Sequence, residues 1–308
     1  MLNPQRPKDE GVTMKKAFFA MCCLVFLMPQ LISQKPEFPK LTGPYLGQRP
    51  PGKTPEPFAA DIPLLQNLHG IIRFSPDGKE AYWKPVWRPV EPICVSRMES
   101  GQWTIPETAP FSAENQGDDS PFLSPDGGQL YFISQRPLPS GEQALGERIW
   151  VAERISEGWA KPKPLPDIIN SLQGIHWQFS VDNQGHLYFG CREGNEGAIY
   201  RAKHEKGLYS APEKLGPEVN AAGIYNYAPY IYSDGNTLLF SRSRPKNPTK
   251  IFVSYRQNDG TWTEAKMVLE DAARPSVTPD GKYLFFCRGD GITCWVNTGC
   301  IEELGPQK

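Results

Sequence analysis

The stretch LSPDGGQLYF, residues 123–132, combines a chain reversal with a run of apolar side chains. Pro125 presets a turn angle, Asp126 can bond to the backbone two residues on, and Gly127 tolerates positive φ. The apolar run that follows, residues 130–132, suits a strand that is buried on both faces. The stretch therefore predicts a hairpin whose second strand lies between two other layers.

The same unit recurs along the chain with a period of about 50 residues. Its copies are FSPDGKEAYW at 74–83, LSPDGGQLYF at 123–132, FSVDNQGHLYF at 179–189, YSDGNTLLF at 232–240 and VTPDGKYLFF at 277–286. A third apolar segment follows each copy, and four copies continue with a glycine and an aromatic residue. Four strands per unit at this period are typical of β-propeller blades. The sequence predicts an all-β fold, a single propeller of five blades with four antiparallel strands each.

The fifth copy ends before its fourth strand. Residues 52–58, GKTPEPF, repeat the ending of the other fourth strands, so this N-terminal strand is expected to close the ring on the last blade. Closure would leave no strand edge unpaired. A sixth, degenerate copy within residues 34–68 is the alternative.

The first 33 residues differ from the rest. A charged start at Met14-Lys15-Lys16, an apolar run at 17–28 and a more polar exit at 29–33 are typical of a signal peptide. The resulting division is a signal peptide at 1–33, whose true start could be Met14, an extended lead-in at 34–50, the propeller at 51–304 and a tail at 305–308. An uncleaved anchor is the alternative, although the apolar run is shorter than the ~20 residues of a membrane span.

Composition excludes few other classes of protein. The chain has 28 glycines and 32 prolines without a low-complexity period, and its formal net charge of -1 gives no reason to expect binding to nucleic acid or membranes. The five cysteines beyond the signal peptide are irregularly spaced, which indicates buried free thiols. A cross-strand disulfide between Cys287 and Cys294 is the alternative.

The Ser-Pro-Asp-Gly turn followed by Leu-Tyr-Phe, and the Gly-x-Trp-x-x-x-Pro ending, resemble the TolB-type, WD-repeat-like propeller repeats of bacterial periplasmic and secreted proteins. The opening TGPYLGQRPPGKTPEPFA and the ending CWVNTGCIEEL are similar to uncharacterised secreted members of that group. The resemblance covers residues 42–304. It implies binding of a protein or ligand outside the cytoplasm, or service beside a catalytic domain.

Motifs for catalysis are scarce. The sequence has no Gly-x-Ser-x-Gly, His-Glu-x-x-His or phosphate loop. Residues six to eight positions before each turn aspartate are expected to line the funnel, and there Asp118, Asp119 and His176 are the candidates for a carbohydrate-active hydrolase or lyase. His69, Asp118 and His176 are the candidates for a metal site, though without ligand spacing. We expect these residues to be structural and the protein to need no cofactor.

Arginine follows the second strand of every predicted blade, on the face where the innermost strands begin. The candidates for ligand binding are Arg88, Arg136, Arg192, Arg242, Arg244 and Arg288, with Trp177, Tyr225 and Tyr227 as stacking surfaces. The alternative is that each arginine ties neighbouring blades together. The sequence therefore predicts an exported, non-catalytic propeller that binds an unidentified protein, peptide or glycan on its funnel face, in the periplasm or outside the cell.

Export predicts a processed N-terminus. We expect the chain recovered from the periplasm or medium to begin near Gln34, because the polar exit of the signal sequence ends at Ser33. N-terminal sequencing of that fraction measures the cleavage position. Full-length protein confined to the cytosol would contradict export.

Overall fold

The aspartate turns form in the computed structural model, and the aspartates themselves stabilise them. Asp77 Oδ1 accepts hydrogen bonds from Ser75 Oγ at 2.6 Å and from the Lys79 amide at 3.0 Å. Asp126 accepts the equivalent bonds from Ser124 and, at 2.9 Å, from the Gly128 amide. These bonds lower the pKa of Asp126. A short polar side chain therefore reverses the chain without help from the rest of the fold.

The structure describes residues 38–65, 68, 70–85, 92–142, 146–170, 172 and 175–305, with the backbone alone for 175–177. They belong to one compact unit, Pro36–Lys308. The predicted signal peptide, the start of the lead-in, His69 and Arg88 lie outside the described residues, as do the side chains of His176 and Trp177. The predicted domain boundaries stay predictions.

The regular secondary structure of the described chain consists almost entirely of β-strands. It begins with two 3-10 turns and one strand: Tyr45–Gly47, β1 (Glu56–Pro57) and Pro63–Leu65. The first repeat contains β2 (Arg73–Phe74), β3 (Glu80–Trp83), β4 (Cys94–Glu99), β5 (Gln102–Trp103) and β6 (Glu107–Thr108). The second contains β7 (Asp119–Leu123), β8 (Gln129–Ser134), β9 (Arg148–Ile155), β10 (Gly158–Trp159), β11 (Lys163–Pro164) and then helix α1 (Asp167–Asn170).

The remaining repeats follow the same order. The third contains β12 (Ile175–Val181), β13 (Leu187–Glu193), β14 (Glu196–Ala202), β15 (His204–Glu205), β16 (Leu208–Tyr209) and β17 (Glu213–Lys214). The fourth contains β18 (Tyr225–Ile231), β19 (Thr237–Ser243), β20 (Lys250–Tyr255) and β21 (Lys266–Glu270). The fifth contains β22 (Ala272–Val277), β23 (Tyr283–Arg288), β24 (Thr293–Asn297) and helix α2 (Gly299–Glu302).

Within each repeat the strands pair antiparallel in chain order. The short outer strands pair with the third strand, except that β15 and β16 of the third repeat pair with each other. The fifth repeat takes its outer strand from the other end of the chain. Glu56 and Pro57 of β1 pair with Trp295 and Cys294 of β24, and the Phe58 amide donates to the Thr293 carbonyl at 2.9 Å. The N-terminal segment thus occupies the edge that the sequence analysis assigned to it.

Two of the connections between repeats are held in place by hydrogen bonds from asparagine side chains. Asn170 Oδ1 accepts from the Ile149 amide at 2.9 Å, and its Nδ2 donates to the Ile149 and Leu165 carbonyls at 3.1 and 2.8 Å. Asn220 makes the same three bonds to Ile199 and Leu215 one repeat later. Each asparagine therefore closes the end of its third strand, where backbone groups would otherwise lack partners.

Apolar clusters lie between successive repeats, and one of them joins the first repeat to the last. That cluster packs Phe58 against Phe285 and Trp295, with ring centroids 4.9 and 5.1 Å apart, and includes Phe74 of β2. None of the five described cysteines takes part in a disulfide, so the Cys287–Cys294 bond is not formed. Residue 287 instead pairs across the strands with Thr293.

Replacing Phe58 with Ala should destabilise the fold by about 3–5 kcal/mol, because the ring is 2% exposed and its removal leaves a cavity. Urea unfolding of the processed chain measures the change. Ile105→Ala, at a side chain 70% exposed, is the control and should stay within about 0.5 kcal/mol of the parent. Equal effects of the two changes would show that the N-terminal segment is not part of the cooperative fold.

Candidate functional site

Asp118, the first candidate for catalysis, has no exposed surface and immediately precedes β7. Its Oδ2 accepts hydrogen bonds from Arg136 Nη2 at 2.6 Å, Ser112 Oγ at 2.7 Å and the Ala113 amide at 3.2 Å. Lys84 Nζ donates to its carbonyl at 2.8 Å. A carboxylate enclosed in this way cannot reach a substrate, so its contacts indicate a structural role. Asp119 is half-buried and accepts from the next backbone amide.

Arg242 repeats the arrangement of Arg136 two repeats later. Its Nε donates to Asn226 Oδ1 at 2.9 Å, and its Nη2 donates to the Glu218 and Val219 carbonyls at 2.9 and 3.0 Å. Asn226 precedes its turn aspartate by eight residues, as does the carboxylate that Arg136 binds. Both guanidinium groups also lie over aromatic rings, 4.7 and 4.5 Å from the nearer centroid. These two arginines tie an innermost strand to the crossover before it.

The other predicted arginines lie nearer to solvent. Arg192 is exposed and donates from Nε to the Gly194 carbonyl at 2.9 Å. Arg288 forms an exposed ion pair with Asp290, with Nη2 at 2.6 Å from Oδ2. Arg244 is exposed beside Arg242, and its charge contributes to the lowered pKa of Arg242, although burial is the larger cause.

Two adjoining cavities lie where the innermost strands begin. The larger, of about 700 Å³, lies beside the start of β22 and the end of β23. Its wall includes Tyr227, Arg274, Cys287 and Arg288. The smaller, of about 410 Å³, is lined by Arg242, Arg244, Lys250 and Phe252 among others, and both cavities contact Pro248. Four of the predicted binding residues therefore face open space on this side.

Tyr225 and Tyr227 pack together at the same end of β18, with ring centroids 5.6 Å apart. Burial raises the pKa of both phenols, so both are neutral hydrogen-bonding groups at pH 7. Arg192 lies close enough to Tyr225 to act on its pKa in the opposite direction. Two of the three predicted stacking residues and one predicted arginine thus lie close together.

The innermost strands are distorted near these cavities. Ser120, Ala228 and Arg274 have φ of 51°, 50° and 57°. Each lies six residues before its turn aspartate, and the strand register shifts at each of these positions. Positive φ in a residue other than glycine is strained, and such strain is common where a bulge redirects side chains toward a site.

The centre of the fold is filled by side chains that the sequence analysis missed. They stand four residues before the turn aspartates and are Arg73, Phe122, Gln178, Tyr230 and Ser276. Arg73 lies 5.5 Å from the Phe122 ring centroid and 5.7 Å from that of Tyr230, and it donates from Nη1 to Ser276 Oγ. Gln178 Nε2 reaches the Pro275 carbonyl at 2.7 Å. Their common distance from the turn aspartate, four residues and not six to eight, is the sequence signal that identifies this set.

The part of the chain that the structure describes contains neither a cluster of metal-binding side chains nor a membrane-spanning helix. Its His, Cys, Asp and Glu side chains form no group of three or more that could hold a metal ion. Its helices include none that is long and apolar enough to cross a lipid bilayer.

No family model and no curated protein matches the chain. Among solved structures, TolB from Acinetobacter baumannii matches with a TM-score of 0.51 and 16% identity, over 75% of this chain and 54% of that one. The chain has a TolB-like β-propeller fold. It spans about half the length of this TolB chain, and at such low identity the likeness concerns the fold alone.

Weaker likenesses to solved structures include a further TolB and a protein named as a gluconolactonase. A putative TolB from Agrobacterium tumefaciens has a TM-score of 0.46 at 17% identity, over 70% of this chain and 68% of that one. A periplasmic gluconolactonase from Pseudomonas aeruginosa has a TM-score of 0.40 at 13% identity, over 71% and 78%.

Asp118→Ala should destabilise the propeller by about 3–5 kcal/mol, because it leaves the Arg136 guanidinium, whose side chain is 14% exposed, without its counter-ion. A double-mutant cycle with Arg136→Ala, followed by urea unfolding, measures the coupling. Glu303→Ala, in the exposed pair with Lys53, is the control and should cost at most about 1 kcal/mol. If the losses in free energy of unfolding were simply additive in the double variant, the interaction between Asp118 and Arg136 would be refuted.

Proposed function

We propose that this chain is an exported, five-bladed propeller that binds a protein, peptide or glycan on the face where its innermost strands begin. The ring is closed by β1, which supplies the outer strand of the fifth blade. The protein acts in the periplasm or outside the cell, and its role is binding rather than catalysis.

Five blades are supported by strand pairing and by the core. Five aspartate turns each connect an innermost strand to a second strand, and β1 pairs with β24 at the far end of the chain. The cluster around Phe58 joins the first repeat to the last as the other clusters join neighbours in sequence. This closure pairs the outer edge of β24, which removes a route to aggregation.

Binding on the proposed face is supported above all by the cavity of about 700 Å³ between the loops there. Its volume lies within the ~300–1,000 Å³ range of ligand sites. Tyr227 offers an aromatic surface, and Arg274 and Arg288 offer guanidinium groups, a combination common in the centres of recognition surfaces. Loops that carry such residues on a rigid scaffold are frequent binding sites.

The alternative function is a carbohydrate-active hydrolase or lyase, and the geometry favours it less. Glycoside hydrolysis by paired carboxylates needs two carboxyl groups on either side of an exposed bond. Asp118 is enclosed by Arg136 and Ser112 and has no exposed surface. The predicted acid is therefore occupied within the scaffold.

Affinity capture from the native envelope fraction tests the binding face. The processed protein serves as bait beside the variant Arg244→Ala/Arg288→Ala. We expect the variant to bind its captured partner at least about tenfold more weakly, because exposed arginines at such a surface are frequent determinants of affinity. Its melting temperature should stay within about 2 °C of the parent, since neither guanidinium is buried.

Lys79→Ala, at an exposed turn on the opposite face, is the matched control and should bind as the parent does. If the control lost its partner while the arginine variant kept it, the binding site would lie on the face of the aspartate turns. That result would contradict the proposed face. Release of reducing ends from a glycan by the purified protein, abolished in Asp118→Asn, would establish the hydrolase instead.

A further inference from the structure

Arg73 is a buried guanidinium at the centre of the propeller. The residue is 8% exposed and stands on β2, the innermost strand of the first blade. Its Nη1 donates to Ser276 Oγ, and its planar group lies against the rings of Phe122 and Tyr230. Nε and Nη2 make no hydrogen bond to any residue that the structure describes. The edge of the guanidinium that could bind two oxygens at once therefore has no hydrogen-bond partner among the described residues, and Arg73 lines a cavity.

No negative charge balances this cation among the described residues. Burial lowers the pKa of Arg73 to about 10, and the groups that act on it in the other direction are Tyr230 and Cys287. Burial raises the pKa of both of those groups, so both are uncharged at pH 7. The guanidinium stays protonated at that pH. A charge that is removed from water without a counter-ion costs several kcal/mol, which an anion at this position would offset.

A cavity of about 200 Å³ adjoins Arg73 on the side of the aspartate turns. Its wall contains the innermost strand ends and turn residues of all five repeats, and Arg73 is the one charged side chain among its described lining residues. Phe122, Tyr230 and Phe285 make much of the wall apolar or aromatic. This cavity is distinct from those on the loop face, and it lies at the opposite ends of the innermost strands.

We propose that the turn-face cavity binds a small organic carboxylate, with both carboxylate oxygens on Nε and Nη2 of Arg73 and a short apolar part against Phe122 and Tyr230. The planar fork of arginine matches a carboxylate in two parallel hydrogen bonds. The volume equals that of about seven water molecules, which limits the ligand to roughly five to eight non-hydrogen atoms.

The apolar part of the wall favours binding of a carboxylate over binding of a free phosphate. Both anions suit a guanidinium, but a phosphate carries oxygens on every side, and those that face Phe122 and Phe285 would lose their hydrogen bonds to water. A carboxylate carries oxygens at one end only. The aromatic part of the wall, beside Arg73, therefore favours a ligand with one polar end, although hydroxyl and amide groups such as those of Ser276 and Asn183 also line the cavity.

This site goes beyond the proposed function and does not depend on it. The proposed binding face lies among the loops at the other ends of the innermost strands, and Gln178 and Arg73 fill the centre between the two. Failure of either proposal leaves the other intact, because different cavities and different variants test them.

Thermal unfolding of the processed full-length protein tests the site, with propionate as the probe and chloride at equal ionic strength as the reference. Propionate at about one hundred times its dissociation constant should raise the melting temperature by about 5 °C. Arg73→Met should melt at or above the temperature of the unliganded parent, because a buried charge is replaced by an apolar side chain of similar length. It should show no response to propionate. Arg73→Lys should need at least about tenfold more propionate, because a lysine lacks the planar fork.

Arg97→Met is the matched control, since Arg97 is a half-buried arginine that pairs with Glu107 and Glu80 and does not line this cavity; it should respond to propionate as the parent does. A crystal soaked in propionate gives a readout that needs no variant, with the carboxylate expected against Nε and Nη2 of Arg73. An equal response in the parent and in Arg73→Met, or no response in the parent, would overturn the site. Stabilisation by inorganic phosphate without any by propionate would overturn the assignment of the ligand as an organic carboxylate.

Discussion

Burial of the second strand of each repeat on both faces is the constraint on which the rest of the structure depends. In the third repeat, Leu187 and Phe189 pack in the cluster shared with the second repeat, and Tyr188 between them packs in the cluster shared with the fourth. Successive side chains of a strand point to opposite faces, so an unbroken apolar run needs a neighbour on each side. A sheet of this kind is stable only between two others, and the segment around Phe58 supplies that contact where the chain begins.

The stacking of the sheets brings the innermost strands together at the centre of the fold. The side chains that fill this centre are polar as well as aromatic. Arg73 contacts residues of the second, fourth and fifth repeats, and Gln178 reaches the fifth from the third. Bulges at Ser120, Ala228 and Arg274 adjust where the innermost side chains point. The centre is thus the part of the fold in which the five repeats, otherwise similar, carry five different side chains.

The two ends of the innermost strands differ in chemistry. At the turn end, each aspartate is held by bonds within its own turn, as Asp77 is by Ser75 and Lys79. At the loop end, some arginines are tied to the backbone and others are exposed. Arg136 and Arg242 donate hydrogen bonds to carbonyls of the crossovers, and Arg242 also lines the smaller cavity, whereas Arg244 and Arg288 line the cavities without such bonds to a crossover. Arginines at this end therefore occupy two kinds of environment, which differ in their contacts with the backbone.

The sequence by itself determined the repeat, the hairpin turns, the strand order and the position of residues 52–58 at the edge of the last repeat. These follow from local signals, because turn chemistry and apolar periodicity act over a few residues. Only the tertiary structure decided which residues meet at the centre, because the bulges shift the register there and Arg73 and Ser276 are far apart in the chain. It also decided that Asp118 is enclosed, since that depends on Arg136 and Ser112 converging from two different segments. Burial and charge pairing are properties of the packed chain, and a single residue type does not encode them.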